Sequence, residues 1–390
     1  MKCVSALSTV ANTESALADV VGRMAGELGG EPADLALVFA SIDHAEGLGR
    51  IARDVRAKRL ARHVVGCTGE SIVGEDREVE GASALSLWAI RLPGVTLSPR
   101  RFTFDDGSVQ GIGSVGAGDD SGAPRPTLIV LGDPFSFPTD PFLKLVNEGA
   151  PGVRVFGGMA SASQSPGGNR LVLDGEVYTN GAVGIEVGGP ASLRAVVSQG
   201  CRPVGQTMIV TRVERNIIRE LGRRPATEVL REMFQSLEAD DQDRVQQGLH
   251  IGRVINEYQE TFHRGDFLVR NVLGADNAGG IAINDVIRVG QTVQFHVRDA
   301  ETADEDLRTM LANERRARPS AKVRGALLFS CNGRGTRLFS EPDHDVSRIH
   351  SEFGPVPVAG FFAMGELGPV GGQNFIHGFT SSVILFEEDD

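Results

Sequence analysis

Apolar residues along this chain come in short runs that end in glycine or small polar residues, and the same order of runs returns three times. Leu35-Ala-Leu-Val-Phe-Ala-Ser41 has the length and apolarity of a buried strand. Leu48, Ile51, Ala52 and Val55 then recur at i, i+3, i+4 and i+7, which predicts a helix with one apolar face. A second strand follows at His63-Val-Val-Gly-Cys-Thr-Gly-Glu70. The middle of the chain repeats the order with Thr127-Leu-Ile-Val-Leu-Gly132, a helix opening at Asp140-Pro-Phe-Leu-Lys-Leu-Val146, and Val153-Arg-Val-Phe-Gly-Gly158. Near the C-terminus come Ala326-Leu-Leu-Phe-Ser-Cys-Asn-Gly-Arg-Gly335, a helix over 346–353, and Val356-Pro-Val-Ala-Gly360. Each set closes with a further apolar run, at 84–90, 182–187 and 382–386.

The pattern predicts an α/β (α+β) fold in which repeated strand-helix-strand-hairpin units form large mixed sheets with helices packed outside. Gly66, Gly157 and Gly360 fall at matching places, so internal duplication is the expected origin. Between the second and third sets the pattern changes. Gly107–Pro126 is rich in Gly, Ser, Asp and Pro and reads as a surface linker; without a Gly-Lys-Ser/Thr step it is no phosphate loop. A helix is expected from Pro225 through Phe234, then a polar connection over Glu238–Arg244. Alternating runs at 267–273, 280–283 and 291–298 predict an antiparallel meander, and a helix over 300–318 leads into the third set.

A chain of 390 residues holds two or three domains. The expected boundaries are an N-terminal segment and helix over 1–33, one domain over 34–240 and another over 241–390. A net charge of -12 argues against duplex nucleic acid and anionic membrane as partners, and no apolar run is long enough for membrane insertion. Thr9, Asn12, Thr13 and Glu14 interrupt any secretory signal, so a cytoplasmic location is expected. Cys3, Cys67, Cys201 and Cys331 lack metal-finger spacing, and His344 and His350, six apart, do not share a helical face. No metal and no cofactor are expected.

Val64-Val-Gly-Cys-Thr-Gly-Glu70, Gly200-Cys-Arg-Pro-Val-Gly205 with Val210-Thr-Arg-Val213, Phe267-Leu-Val-Arg-Asn-Val-Leu273, Phe329-Ser-Cys-Asn-Gly-Arg-Gly335 and Gly360-Phe-Phe-Ala-Met-Gly-Glu366 together resemble the FIST domain, named for F-box and intracellular signal transduction proteins. The resemblance runs from about Asp34 to Phe386 and covers an N-terminal and a C-terminal half. It implies an intracellular sensory module that binds a small ligand such as an amino acid, not an established enzyme. In this family the domain is often fused to an output device; here the expected output is a signalling partner protein or oligomerisation.

The polar residues at the strand ends are the candidate ligand contacts. Arg334, between two glycines, could hold a carboxylate bidentately, and Glu366 could receive an ammonium group, so the two would read both ends of an amino acid. Asn332 and Cys331 adjoin Arg334; Cys67, Thr68 and Glu70 occupy the matching strand end of the first set, Gly158 that of the second, and Asn374 and His377 the last hairpin. If strand ends converge, these line a cleft between the two halves. The alternative reading makes Cys331 a nucleophile with His377 as base, in a cysteine-dependent hydrolase or transferase. A third reading is a ligand-free interaction scaffold. The basic run Arg50 to Arg62 is either a solvated helix face or a docking patch for an acidic partner.

Overall fold

The computed structural model describes residues 1–113, 115–116, 125–259, 261–262 and 265–388. The chain forms two compact units, Met1–Val197 with Leu307–Asp390, and Ser198–Asp306. Its first stretch comprises β1 (Lys2–Ser8), α1 (Thr13–Leu28), β2 (Ala33–Ala40), α2 (Leu48–Ala57), β3 (Ala61–Thr68), the hairpin β4 (Ile72–Gly74) and β5 (Arg77–Val79), and β6 (Leu85–Arg91). The second comprises β7 (Thr96–Asp105), β8 (Ser108–Gln110), β9 (Thr127–Gly132), α3 (Thr139–Gly149), β10 (Arg154–Met159), the hairpin β11 (Leu171–Leu173) and β12 (Glu176–Tyr178), β13 (Ala182–Gly188) and β14 (Ser192–Ser198).

The second unit contains β15 (Arg202–Glu214), β16 (Ile217–Leu221), β17 (Arg224–Pro225), α4 (Ala226–Ser236), α5 (Ala239–Gln247), β18 (Leu249–Val254), β19 (Phe267–Ala275), β20 (Ile281–Ile283) and β21 (Thr292–Val297). After α6 (Ala300–Ala317) come β22 (Lys322–Cys331), α7 (His344–Phe353), β23 (Val358–Ala363), the hairpin β24 (Glu366–Val370) and β25 (Gln373–His377), and β26 (Ser381–Glu388).

Three sheets build the first unit, in the orders β1-β6-β2-β3-β11-β12, β8-β7-β13-β9-β10-β24-β25 and β14-β26-β22-β23-β4-β5. In each, two inner strands joined through a helix run parallel, and the closing strand pairs antiparallel with the first of them. The hairpins are exchanged in a cycle. That following β3 lies on the third sheet, that following β10 on the first, and that following β23 on the second.

Strand periodicity explains the layering. Leu35, Leu37 and Phe39 of β2 enter one core together with Ile129 and Leu131 of β9 and Leu327 and Phe329 of β22, whereas the alternate residues Ala36, Val38, Leu128, Val130, Ala326 and Leu328 face each sheet's own helices. Phe39, Phe329 and Phe361 meet at the shared core with ring centroids 5.3–6.3 Å apart. Burying each such ring stabilises the fold by roughly 1.5–3 kcal/mol. The outer helices are equally legible. Asn12 Oδ1 caps α1 by accepting the Ser15 N–H at 3.0 Å, and Leu48, Ile51, Ala52 and Val55 of α2 are buried as their spacing predicts.

Gly66, Gly157 and Gly360 stand at one recurring place. Each pairs with the neighbouring parallel strand at Val38, Val130 and Leu328 respectively, and a Cβ on any of them would overlap that partner's carbonyl oxygen.

In the second unit, β15 pairs with both β21 and β16, closing the order β15-β21-β18-β19-β20-β16 into a barrel around Ile251, Val293, Phe295 and Val297. The expected meander is therefore corrected: β19 and β20 form a hairpin, but β21 crosses to pair with β18 and β15. Glu238–Arg244 is also not a bare connection. Asp240 and Asp241 sit in the first turn of α5, where carboxylates favour a helix, and Asp241 is held by Arg202 and Arg244. Within the expected linker, 108–110 forms β8, and residues 114 and 117–124 lie outside the described residues.

Candidate functional site

A residue at the end of each first inner strand makes the same bond. Ser41, Asp133 and Cys331 donate their N–H to the carbonyls of Ala84, Gly181 and Thr380 at 2.9, 2.8 and 3.0 Å. The ends of the second inner strands are tied to one another. Ser161 N–H donates to Thr68 O at 3.2 Å and Met364 N–H to Met159 O at 3.0 Å. The third link runs through a side chain: Glu70 N–H donates to Ser161 Oγ at 2.9 Å, and that hydroxyl donates to Phe362 O. The topology thus gathers the strand-end residues of all three sheets.

Arg334 is inside the protein. Its Nε and Nη2 donate to Asp345 Oδ2 and Oδ1 at 2.8 and 2.7 Å, and its guanidinium carbon lies 5.2 Å from the centre of the Phe339 ring. Asp345 also accepts from Ser330 Oγ at 2.8 Å and pairs with His344 Nδ1 at 2.9 Å. Burial pushes the Asp345 carboxyl up, but the Arg334 charge and the His344 and Arg334 hydrogen bonds outweigh it and hold it far below the carboxylate range. The expectation that Arg334 reads a ligand carboxylate is corrected, because its bidentate fork is already filled. Glu366 is likewise fully buried, with Oε2 accepting the Thr380 N–H at 3.2 Å.

Several other candidates serve the scaffold. Asn374 uses both ends of its amide: Oδ1 accepts the Val155 N–H at 2.7 Å, and Nδ2 donates to Val153 O and Asn147 Oδ1 at 2.8 and 2.9 Å. Thr68 Oγ1 accepts the Arg170 N–H at 2.9 Å, and Cys67 is buried in the shared core, where desolvation pushes its thiol up. A Cβ at Gly158 would lie 2.8 Å from Ala363 Cβ, so the glycine allows two sheets to approach. His377 pairs with Glu366 across the hairpin and is buried, and its Nε2 donates to Gly368 O at 3.0 Å.

What reaches the surface is smaller. Cys331 and Asn332 are half-buried, and Gly333 N–H points at Cys331 Sγ at 3.5 Å. Asn332 Oδ1 is buried without a hydrogen-bond partner among the described residues. Arg337, three residues beyond Arg334, is exposed; it pairs with Glu70 and donates to Asn332 O at 2.7 Å. Thr336 donates its N–H and hydroxyl to Glu80 at 2.9 and 2.8 Å. Sequence reasoning missed Arg337, Glu80 and Asp345. The available signal was the Arg-Gly-Thr-Arg spacing, which puts a second cation one short turn after the first. Among the described residues, no three His, Cys, Asp or Glu side chains gather to hold a metal ion.

Residues 34–224 match the FIST N domain and residues 226–369 the FIST C domain. The chain belongs to the FIST family. Relatives of this FIST chain include uncharacterized protein Rv0628c of Mycobacterium tuberculosis, 39% identical over 383 residues, which is 97% of this chain and 98% of that protein. Another is uncharacterized protein Mb0898c of Mycobacterium bovis, 39% identical over 385 residues, or 98% of this chain and 97% of the relative. FIST domains are in general sensory domains of signal transduction. The boundary between the two FIST segments falls within the second compact unit, so Glu70 of the FIST N segment and Cys331 to Arg337 of the FIST C segment meet inside the first unit. No described helix is long and apolar enough to cross a membrane. The basic run is mostly engaged locally: Arg50 pairs with Glu14, Arg62 with Asp34, and Arg53 and Arg56 donate to the carbonyls of Gly175 and Asp174.

Proposed function

We propose that this FIST chain is a cytoplasmic sensory module that binds a small zwitterion, such as an amino acid, at the strand-end surface of its first unit and signals through a partner protein. The observation that carries this reading is the exposed Arg337–Glu70 pair, one charge from each FIST segment, beside half-buried Cys331 and Asn332. A ligand carboxylate would replace Glu70 on Arg337, and its ammonium group would take Glu70, exchanging one surface pair for two bonds of the same kind. Asn332 Oδ1 would accept a further ligand N–H. Arg334 and Glu366 support the site from beneath. The recurring sheet order and the matched glycines favour descent from a duplicated unit.

The test is native mass spectrometry of the purified chain for a retained small molecule, followed by calorimetry with the amino acids. Arg337→Ala should weaken binding by about one to two decades, the equivalent of roughly 1.5–3 kcal/mol for a hydrogen bond to a charged group. No retained molecule and no heat with any amino acid would remove the reading, as would unchanged affinity in the variant. The thiol reading keeps one supporting observation, the electrostatic reach of both Arg334 and Arg337 to Cys331. Turnover of an ester or amide that is lost in Cys331→Ser would move the assignment to a hydrolase or transferase.

A further inference from the structure

The hairpin β4–β5 leaves the first sheet and lies on the third, where its hold is polar as well as apolar. Glu78, 5% exposed, uses Oε1 to accept the Val346 N–H at 2.8 Å in the first turn of α7. In return Asp343 Oδ1 accepts the Glu78 N–H at 2.6 Å. Strand and helix start hold each other. The same hairpin grips the loop that carries the candidate site, through Glu80 on Thr336 and, just ahead of β4, Glu70 on Arg337.

The other oxygen of Glu78 is buried and has no hydrogen-bond partner among the described residues. The charged groups facing this carboxyl are Asp343 just ahead of α7, Asp345 in its first turn and Arg334 from the loop after β22. The adjoining strand β23, Val-Ala-Gly-Phe-Phe-Ala, brings none, and Glu75 at the hairpin turn is taken by Arg23. Because Arg334 is already matched by Asp345, a charge on Glu78 would stand unbalanced. Burial first, and the Asp345 carboxylate next, push the Glu78 carboxyl up to about 8, against the weaker pull of the Val346 N–H and Arg334.

We propose that β4–β5 is a proton-operated clasp beside the strand-end site: protonated Glu78 holds it on α7, and loss of that proton to solvent releases it together with loop 332–338. The neutral acid keeps Oε1 as acceptor for Val346 and carries its hydrogen on Oε2. Ionisation leaves a carboxylate with one buried, unmatched oxygen beside Asp345. A carboxyl whose folded pKa lies above its unfolded value holds a proton that the unfolded chain has lost, so the clasp weakens as pH rises from the ordinary glutamate range and opens above about 8. The regulatory half of this inference rests on the site proposed above. The clasp itself does not.

Hydrogen–deuterium exchange of the full chain without ligand tests it, at about pH 4 and about pH 9.5, against Glu78→Gln, which keeps the acceptor and cannot ionise. At the lower pH the two proteins should exchange alike over 72–79, 332–338 and 344–349. At the higher pH the wild type should exchange at least tenfold faster than the variant in all three segments, because the open chain loses the Glu78 proton near 4.5 and the closed one only near about 8. An equal ratio at both pH values overturns the clasp, and a change confined to 72–79 and 344–349 overturns its link to the site. If Glu78→Gln does not fold, the wild type's β9 and β10 amides provide the internal reference. Constant protection of the clasp relative to them overturns the proposal. Since no ligand is present, a failed ligand search leaves this result fully readable.

Discussion

Removing Arg334 separates a ligand contact from an internal ion pair, because the two roles predict losses of different kinds. In Arg334→Ala the Asp345 carboxylate, 1% exposed, keeps only Ser330 and His344 as partners, and the ring of Phe339 loses the cation beside it. Stranding one member of a buried pair costs about 3–5 kcal/mol. The double variant Arg334→Met/Asp345→Leu should recover most of that loss, since an apolar pair of similar volume avoids both desolvation terms. Arg337→Ala, at an exposed pair, should stay within about 0.5 kcal/mol. The assay is urea unfolding followed by the fluorescence of Trp88, the single tryptophan, which is buried in the shared core and bonded to Pro357 O at 3.1 Å. It reports on the first unit. The pair also has a pH signature: a carboxyl held below its unfolded value stabilises the fold above the ordinary aspartate range and loses that contribution as pH falls toward its folded pKa. A loss under about 1 kcal/mol in Arg334→Ala, accompanied by weaker ligand binding, would refute the internal assignment.

Gly360→Ala should abolish cooperative unfolding of the first unit, because its Cβ would overlap the Leu328 carbonyl, whereas Gly22→Ala in α1, with nothing within 4 Å, should stabilise by about 0.5–1 kcal/mol; similar melting temperatures for the two would contradict the packing. Burial pushes His250 and His296, neighbours in register in the second unit, down to about 4. The unfolded chain therefore binds more protons between about 6.5 and 4, and amide protection in β18 and β21 should fall through that window by up to about 3 kcal/mol per imidazole, while flat protection would refute the burial argument. Cys331, half-buried near two guanidinium groups, should alkylate well before Cys67, as read by peptide mapping; the reverse order would refute the electrostatics.

Much of the fold was legible because strand burial is written as alternation and helix burial as the 3.6 period. Both faces are buried over Leu35–Ala40 of β2, Leu128–Leu131 of β9 and Ala326–Phe329 of β22, and those stretches are correspondingly unbroken apolar runs. The exchange of hairpins was not legible, since Ile72-Val-Gly74 carries no mark of which sheet it joins. The site was half legible for the same reason. Glycine and small polar residues marked the strand ends correctly, but whether a polar side chain there points outward depends on partners far along the chain. Arg334 is turned inward by Asp345, eleven residues on, and Asn374 by Asn147, 227 residues away. The helical nature of 239–247 was hidden by its lack of any buried residue: ion pairs, not an apolar stripe, hold it.

Hairpin exchange also accounts for where polar chemistry can stand in this protein. Each second inner strand leads into a hairpin that lands on a different sheet, so the segments after β3, β10 and β23 are the points where the three sheets are tied, partly by main-chain bonds. Beside each turn lies the residue that ends a first inner strand, tied across its sheet by its N–H. Ser41 uses its hydroxyl to accept the Ala84 N–H at 3.0 Å, and Asp133 is enclosed by Asn169 and Ser136 at 3.2 and 2.6 Å. Both are buried and committed to their own loops. At the third position stands a half-buried thiol within electrostatic reach of Arg334 and Arg337, the second of which belongs to a surface pair drawn from both FIST segments. Three equivalent positions therefore differ in what the loops make of them: the fold repeats the place, and only at Cys331 is the residue half-buried instead of buried.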